Sequence, residues 1–369
     1  MNRLFRWDQM GLFLLALAAG ILPFAVPEVC AAALREGLVL CSGSLLLSLF
    51  PFLVVSRLLI QCPESDLLAL PFRLAAWGIG IRTPCAARVL CIGFLGGFAP
   101  AASAAAQAVR TGQLTAEEAD ALLPACICSG PSFVVLTVGQ SLLGSAELGV
   151  LLFASQITAN YLTAALLNRF AGVHSVEQES AAQASPAPPR LDEILADAAI
   201  TYCKLCGFIL FFRLLAAGAG ALLPTGAGTL CAILLEVCSG CDLASRTGQW
   251  GSLLCCAALS VQGLSVLLQV RTICPPEMTL RPLYRARMLH LPLSLALFYL
   301  LLPGGEADVF STLPARVLLM RRVPPDCALL VFAVCCMAAC TLRSGIRQVE
   351  QKQMARNAGG CCINSKTLL

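Results

Sequence analysis

Apolar runs separated by short polar stretches dominate the chain. Candidate membrane elements lie near 9–27, 38–61, 86–106, 122–143, 145–168, 199–223, 226–245, 249–270, 288–303 and 324–342. A helical bilayer crossing needs about 20 apolar residues, so roughly eight to ten membrane elements are expected. Several runs are short or glycine-rich, which makes some of them candidates for re-entrant hairpins. Leu and Ala fill the runs, so the expected fold is an all-α polytopic membrane protein rather than a β-barrel.

The run LLPACICSGPSFVVLTVGQSLL (122–143) could span a bilayer, yet Ser129-Gly130-Pro131-Ser132 sits in its middle. Proline removes a backbone donor and clashes with the preceding turn. In hydrocarbon, a freed carbonyl is tolerated only against protein or a water-filled cavity. A helix break at membrane depth is therefore expected here. Such breaks are where transporters bind solutes and coupling ions. The alternative is a plain proline kink, with the serines bonding back to their own helix.

Composition agrees with the pattern: 58% of residues are hydrophobic, 12% are charged, and the mean hydropathy is +0.81. Soluble domains carry about 25% charged residues. The net charge of +4 forms no basic face, so no nucleic-acid partner is expected. Positive charges instead set topology. Arg3 and Arg6 before the first run, and Arg343, Arg347, Lys352, Arg356 and Lys366 after the last, place both ends in the cytoplasm. Arg271, Arg281, Arg285 and Arg287 mark a further cytoplasmic loop, whereas Arg321 and Arg322 fit this scheme poorly. The first run resembles a signal peptide, but Glu28 interrupts the cleavage-like region, so an uncleaved span is expected. The 21 cysteines lie mostly within apolar runs, where cysteine packs as a small hydrophobe. Cys203-x-x-Cys206 and Cys238-x-x-Cys241 have metal-ligand spacing, but neither of the two histidines is near them, and no metal is expected.

The polar, Pro- and Ala-rich stretch 173–192 reads as a cytoplasmic linker. It divides the chain into an N-terminal span and lead-in (1–33), a first repeat (34–172), a second repeat (193–303), a loop and span (304–342) and a basic tail (343–369). The two repeats share an order of features. FLVVSRLL (52–59) matches FILFFRLL (208–215). The glycine-interrupted 93–105 matches 234–245. CSGPSFVVLTVG (128–139) matches LSVQGLSVLLQV (259–270). Charge bias runs the two matched arginine-bearing helices in opposite directions, which predicts inverted-topology repeats. Chance likeness among Leu/Ala-rich helices is the alternative.

Four motifs could carry chemistry. Gly96-Gly97-Phe98-Ala99-Pro100 is a break or hairpin tip, or else a close-packing seam with Ala101, Ala102 and Ser103. Ser129 to Ser132 offer hydroxyls and a half-helix N-terminus suited to anions. Glu236, followed by Ser239, Gly240 and Asp242, puts a carboxylate inside a run, where a proton or Na⁺ could couple to it; in a surface loop it would merely be solvated. Gln262, Gly263, Ser265 and Gln269 include a polar stripe at i, i+3 and i+7 that either lines a cavity or joins a neighbouring helix. Arg57 and Arg213 fall at matching positions and are expected to snorkel to the interface, with anion attraction as the alternative. Thr115 and Glu118 form a capping box. No phosphate-cradling loop, catalytic cluster or nucleotide-binding domain is present in the sequence, so an enzyme is not expected and no cofactor is implied.

These segments resemble the sporulation integral membrane protein YlbJ family, also called SpoVV, whose members contain nucleoside-recognition gate domains. The likeness spans about residues 34–300. It is carried by SLFPFLVVSRLL (48–59), GFLGGFAPAA (93–102), GQLTAEEADALL (112–123), CSGPSFVVLTVG (128–139), Glu236-Val-Cys-Ser-Gly and SVQGLSVLLQV (260–270). Family members carry Asn-Asn where this chain has Ile127-Cys128, and Lys where it has Ser103. The resemblance implies a distant relative of concentrative nucleoside transporters. It also implies movement of dipicolinic acid, a small aromatic dianion, across the outer forespore membrane during endospore formation. In that frame Gly97, Phe98, Ser129, Gly130, Pro131, Ser132, Ser239, Gly240, Gln262, Gly263 and Ser265 bind the solute, Glu236 couples to Na⁺ or H⁺, and facing half-helix N-termini each hold a carboxylate. The expected partners are an anionic small molecule and the lipid bilayer of the bacterial cell membrane, with a homo-oligomer left open. Two other functions fit the same residues: a non-transporting membrane assembly factor for the spore envelope, and a nucleoside-type transporter.

Overall fold

The computed structural model describes residues 2–61, 63–171 and 191–302. The expected linker at 173–190, the loop and span at 304–342 and the tail at 343–369 lie outside the described residues. Leu191 and Asp192, expected in the linker, already belong to a helix.

Among the described residues every regular element is helical. In chain order they are α1 (Asn2–Ala25), α2 (Pro27–Ser42), α3 (Ser44–Gln61), α4 (Leu70–Gly78), α5 (Pro84–Gly96), α6 (Phe98–Arg110), α7 (Ala116–Cys126), a π-helix (Ser132–Leu142), α8 (Ala146–Ala171), α9 (Leu191–Leu222), α10 (Thr225–Leu235), α11 (Val237–Ser245), α12 (Gly251–Val261), α13 (Gly263–Ile273) and α14 (Arg281–Leu301). Proline starts α2, α4, α5 and α14, where its missing N–H would have had no helical partner anyway. The Thr115–Glu118 capping box starts α7 as the sequence predicts: the Glu118 N–H donates to Thr115 Oγ1 at 3.1 Å, and the Thr115 N–H to Glu118 Oε2 at 3.0 Å.

Three helical segments are long and apolar enough to cross a membrane: α8, α9 and the continuous stretch Gly248–Ile273. The bent pair Phe13–Ala25 and Pro27–Ser42, turned by 113°, makes a fourth if counted as one span. Several shorter apolar helices accompany them. These helices fit a membrane protein, and among the described residues only these three or four reach the length of a full crossing. The reason is local. The span-length runs 86–106 and 226–245 are each cut at a single residue, and the two pieces fold back on one another. Thus α5 packs along α6, and α10 along α11. Gly93 lies against Ala101, and Gly240 against Ile233, each pair straddling its break. By contrast, α7 does not pack along the π-helix, nor α12 along α13. Those two runs are broken helices that continue onward.

Chain direction follows from the contacts of α3 and α9. Arg57 meets Asp197, Leu53 clusters with Tyr202 and Leu205, and Leu45 clusters with Ile209. The two helices therefore run antiparallel. The α5–α6 hairpin starts from the end where α9 begins, and the α10–α11 hairpin starts from the end where α9 finishes. Small residues let α6 sit at the centre, against α3, α5, α7 and α13: Ala101, Ala102, Ala104, Ala105 and Ala108 are fully buried. The sequence offered a break or a packing seam at 96–103, and both are present.

Candidate functional site

Four interruptions of the helices meet in the interior. The first is Gly97, at φ +80°, the tip of the α5–α6 hairpin. A Cβ there would lie 2.7 Å from the Gly130 nitrogen, so the tip rests on the second interruption with no side chain between. That second interruption runs from Ile127 to Gly130. Pro131, read from sequence as a mid-helix breaker, instead starts the second half-helix, where it deprives nothing of a donor. The Leu143 N–H donates to Val138 O, five residues back, in keeping with the π-helical winding. Such winding is rare and concentrates at functional sites.

The third interruption is Glu236, extended at φ −152°. It is 2% exposed, so the solvated-loop reading does not hold. Its carboxylate caps α11 directly, accepting from the Cys238 N–H at 2.8 Å and the Ser239 N–H at 2.7 Å. The hairpin tip is thus Glu236, and Ser239 and Gly240 lie in the turn beyond it. Gly240 is a packing residue: its missing Cβ makes room for Ile233. The fourth interruption is Gln262, a non-glycine residue in the left-handed region at φ +65°. Its Nε2 donates to Leu259 O at 2.6 Å and to Ser129 Oγ at 3.3 Å, which joins the second and fourth interruptions. Gly263, at φ +70°, rests on Glu236 as Gly97 rests on Gly130: a Cβ would lie 2.9 Å from the Glu236 nitrogen.

A cavity of about 50 Å³ lies where the hairpin tips converge. Gly96, Phe98, Ser129, Gly130, Ser132 and Phe133 line it from the first half, and Glu236, Val237, Cys238 and Gln269 from the second. Small-molecule sites occupy roughly 300–1,000 Å³. The space therefore fits a few waters or an ion. Of the residues predicted from sequence, Phe98, Ser129, Gly130, Ser132 and Glu236 reach the cavity. Gly97, Pro131, Gln262 and Gly263 shape the breaks behind it. Ser265 lies 1% exposed and accepts from Gln269 Nε2 at 2.8 Å, so it holds a cavity residue rather than lining the cavity. Gln262 Oε1, Gln269 Oε1 and Ser239 Oγ are buried acceptors without a partner among the described residues.

The electrostatics are unequal around the cavity. The half-helices that begin at Phe98, Ser132 and Gly263 carry no side-chain cap, whereas α11 is capped by its own Glu236. The α11 N-terminus thus already holds a carboxylate of the chain itself, while the N-termini of the two broken helices, at Ser132 and Gly263, have none.

The sequence reading missed a buried polar cluster behind the second and fourth interruptions. Arg287, taken there for a loop residue, is 7% exposed. It donates through Nη2 to Ile127 O at 2.6 Å and Asn160 Oδ1 at 3.3 Å, and through Nη1 to Ser260 O at 3.3 Å. One guanidinium thus covers carbonyls at the C-terminal ends of both α7 and α12, where the helix dipole favours a cation. Next to it, Ser260 Oγ lies 2.6 Å from both His290 Nδ1 and Ser294 Oγ, and Gln156 donates to Cys256 O at 3.3 Å. Two signals were available in sequence. Gln156, Asn160 and Thr163 stand at i, i+4 and i+7 in α8, and Arg287, His290 and Ser294 at i, i+3 and i+7 in α14. Both are polar stripes within apolar helices.

Arg57 and Arg213, expected to reach the interface, both form ion pairs with exposed carboxylates. Arg57 is 9% exposed and pairs with Asp197, and Arg213 pairs with Glu36 at 2.8 Å. Each arginine reaches a carboxylate on the far side of the linker in sequence. Comparison with known proteins found no matching family model, no curated protein and no solved structure similar to this chain.

Proposed function

We propose that the chain is a multi-pass secondary transporter of a small organic anion, built as two inverted repeats. One observation carries the reading. Each half supplies a hairpin and then a broken helix, and the four interruptions gather around one cavity, with Gly97, Gln262 and Gly263 behind its wall. Facing broken elements at mid-depth are the arrangement by which transporters hold solutes and ions. The antiparallel run of α3 and α9, and the reciprocal pairs Arg57–Asp197 and Arg213–Glu36, support the inverted relation.

An anion suits the uncapped N-termini at Phe98, Ser132 and Gly263, with the buried Arg287 charge two residues behind Ser129 on the backbone. Glu236 and the unpaired amide oxygens of Gln262 and Gln269 suit a proton or Na⁺ instead, which makes them the coupling side. The resemblance to the YlbJ family points to dipicolinic acid as the solute, and to the outer forespore membrane as its place of work. Ile127 and Cys128 stand where that family has asparagines, so recognition here falls on Ser129, Ser132 and backbone N–H groups.

The test is uptake of dipicolinate by proteoliposomes holding the full chain. The Ser129→Ala/Gln262→Ala pair should cut the initial rate at least tenfold, and Glu236→Gln should remove its dependence on a proton or Na⁺ gradient. Undiminished uptake by the double variant would sink the site assignment. No uptake of dipicolinate by the wild-type chain would sink the choice of solute.

A further inference from the structure

A second cavity, of about 160 Å³, opens between the ends of α3, α6, α9 and α13 on the linker side. Its polar wall comprises Arg57, Ser103, Arg110, Asp197, Thr201, Lys204 and Thr272. Three cations face one carboxylate. Arg57 donates to Asp197 and, at 3.4 Å, to Thr201 Oγ1, while its buried Nε has no partner among the described residues. Arg110 and Lys204 are exposed and form no ion pair among the described residues. A solvated charged rim is the bland account, and the C-terminal dipole of α6 explains Arg110 alone. Neither accounts for a nine-tenths-buried guanidinium in the wall of a concavity whose formal charge is positive.

The position is as telling as the charge. Helices α6 and α13 both start at the central interruptions and end at this cavity. Their lengths of 13 and 11 residues set their far ends about 15–20 Å from the interruptions, while Ser103, five residues past Phe98, brings the inner wall of this cavity to within about 8 Å of rise. The space is too small for a drug-sized ligand but admits a phosphate- or carboxylate-sized group.

We propose that this cavity is an anion site that takes a carboxylate or phosphate group and serves the central cavity as its linker-side vestibule. The anion site stands on the geometry alone; its role as vestibule rests on the transport reading above. A like group could come from a free solute or from a lipid head group, and the experiment separates them.

The full chain in phosphatidylcholine nanodiscs is titrated calorimetrically with inorganic phosphate. Binding should weaken as salt rises, and should fall at least tenfold in Arg110→Gln/Lys204→Gln. Both changes are at exposed positions, so the fold should keep its melting temperature. The central Ser129→Ala/Gln262→Ala variant should bind phosphate as the wild type does. Equal phosphate affinity in Arg110→Gln/Lys204→Gln, or no binding by the wild type, would overturn the anion site. In discs containing phosphatidylglycerol, phosphate affinity should be retained. Its loss, with the lipid kept by the wild type and released by the double variant in native mass spectrometry, would overturn the vestibule and leave a lipid head-group site. A chain that binds phosphate here yet moves no dipicolinate would count against the transport reading and not against this site.

Discussion

Gly97 and Gly263 are the residues on which the central geometry turns. Each combines a left-handed backbone with a contact too close for a Cβ. Alanine at either position meets both penalties at once, and the left-handed strain alone costs about 1–3 kcal/mol. Gly97→Ala and Gly263→Ala should each lower the melting temperature of the detergent-purified chain. Gly144→Ala is the control: it shares the positive φ, but its Cβ would meet open space. Equal melting losses in all three would mean that strain, and not the contact between interruptions, is what the glycines serve. Gln262 occupies the same backbone region without being glycine, held by its own amide on Leu259 O. Nothing in a glutamine codon announces that. The sequence placed a polar stripe there and could not place the turn, because side chains other than glycine rarely adopt it.

At the scale of elements, the breaks were legible where glycine and proline punctuate an apolar run, as at Gly97 and Gly130–Pro131. The second hairpin was harder. Glycine in the run 234–245 falls at Gly240, but the helix turns at Glu236, whose carboxylate can replace the backbone partners that a helix start lacks. Arg287 was hidden for a different reason. Topology rules read an arginine near a run's end as a loop marker, and only the packing of α14 against α7, α8 and α12 reveals it as a cap. Removing it takes the side-chain donor from Ser260 O and leaves Ile127 O only the longer bond from Asn160 Nδ2 at 3.3 Å, at on the order of 1–3 kcal/mol for a stranded carbonyl. Arg287→Ala should therefore unfold at markedly lower temperature. Arg287→Lys should recover only part of the loss, because an ammonium on a single stem cannot span Ile127 O, Ser260 O and Asn160 Oδ1 together. Full recovery by lysine would reduce the role of Arg287 to its charge.

For the molecule as a whole, the all-helical class was readable from apolar runs and their punctuation. The number of crossings was not. Length rules count residues, and a run folded back on itself contains as many apolar residues as one that goes straight through. The interruptions that defeat the count are also where native thiols sit. Cys128 lies in the second interruption and Cys238 in the cavity wall, and neither is in a disulfide. The chain thus carries its own reporters of opening. With a membrane-permeant maleimide and peptide mass spectrometry, Cys238 should be labelled slowly, faster whenever the tips part, and should be protected by whatever solute fills the space. Unchanged Cys238 labelling across every solute tested would mean that the four interruptions form a fixed seam and never a gate.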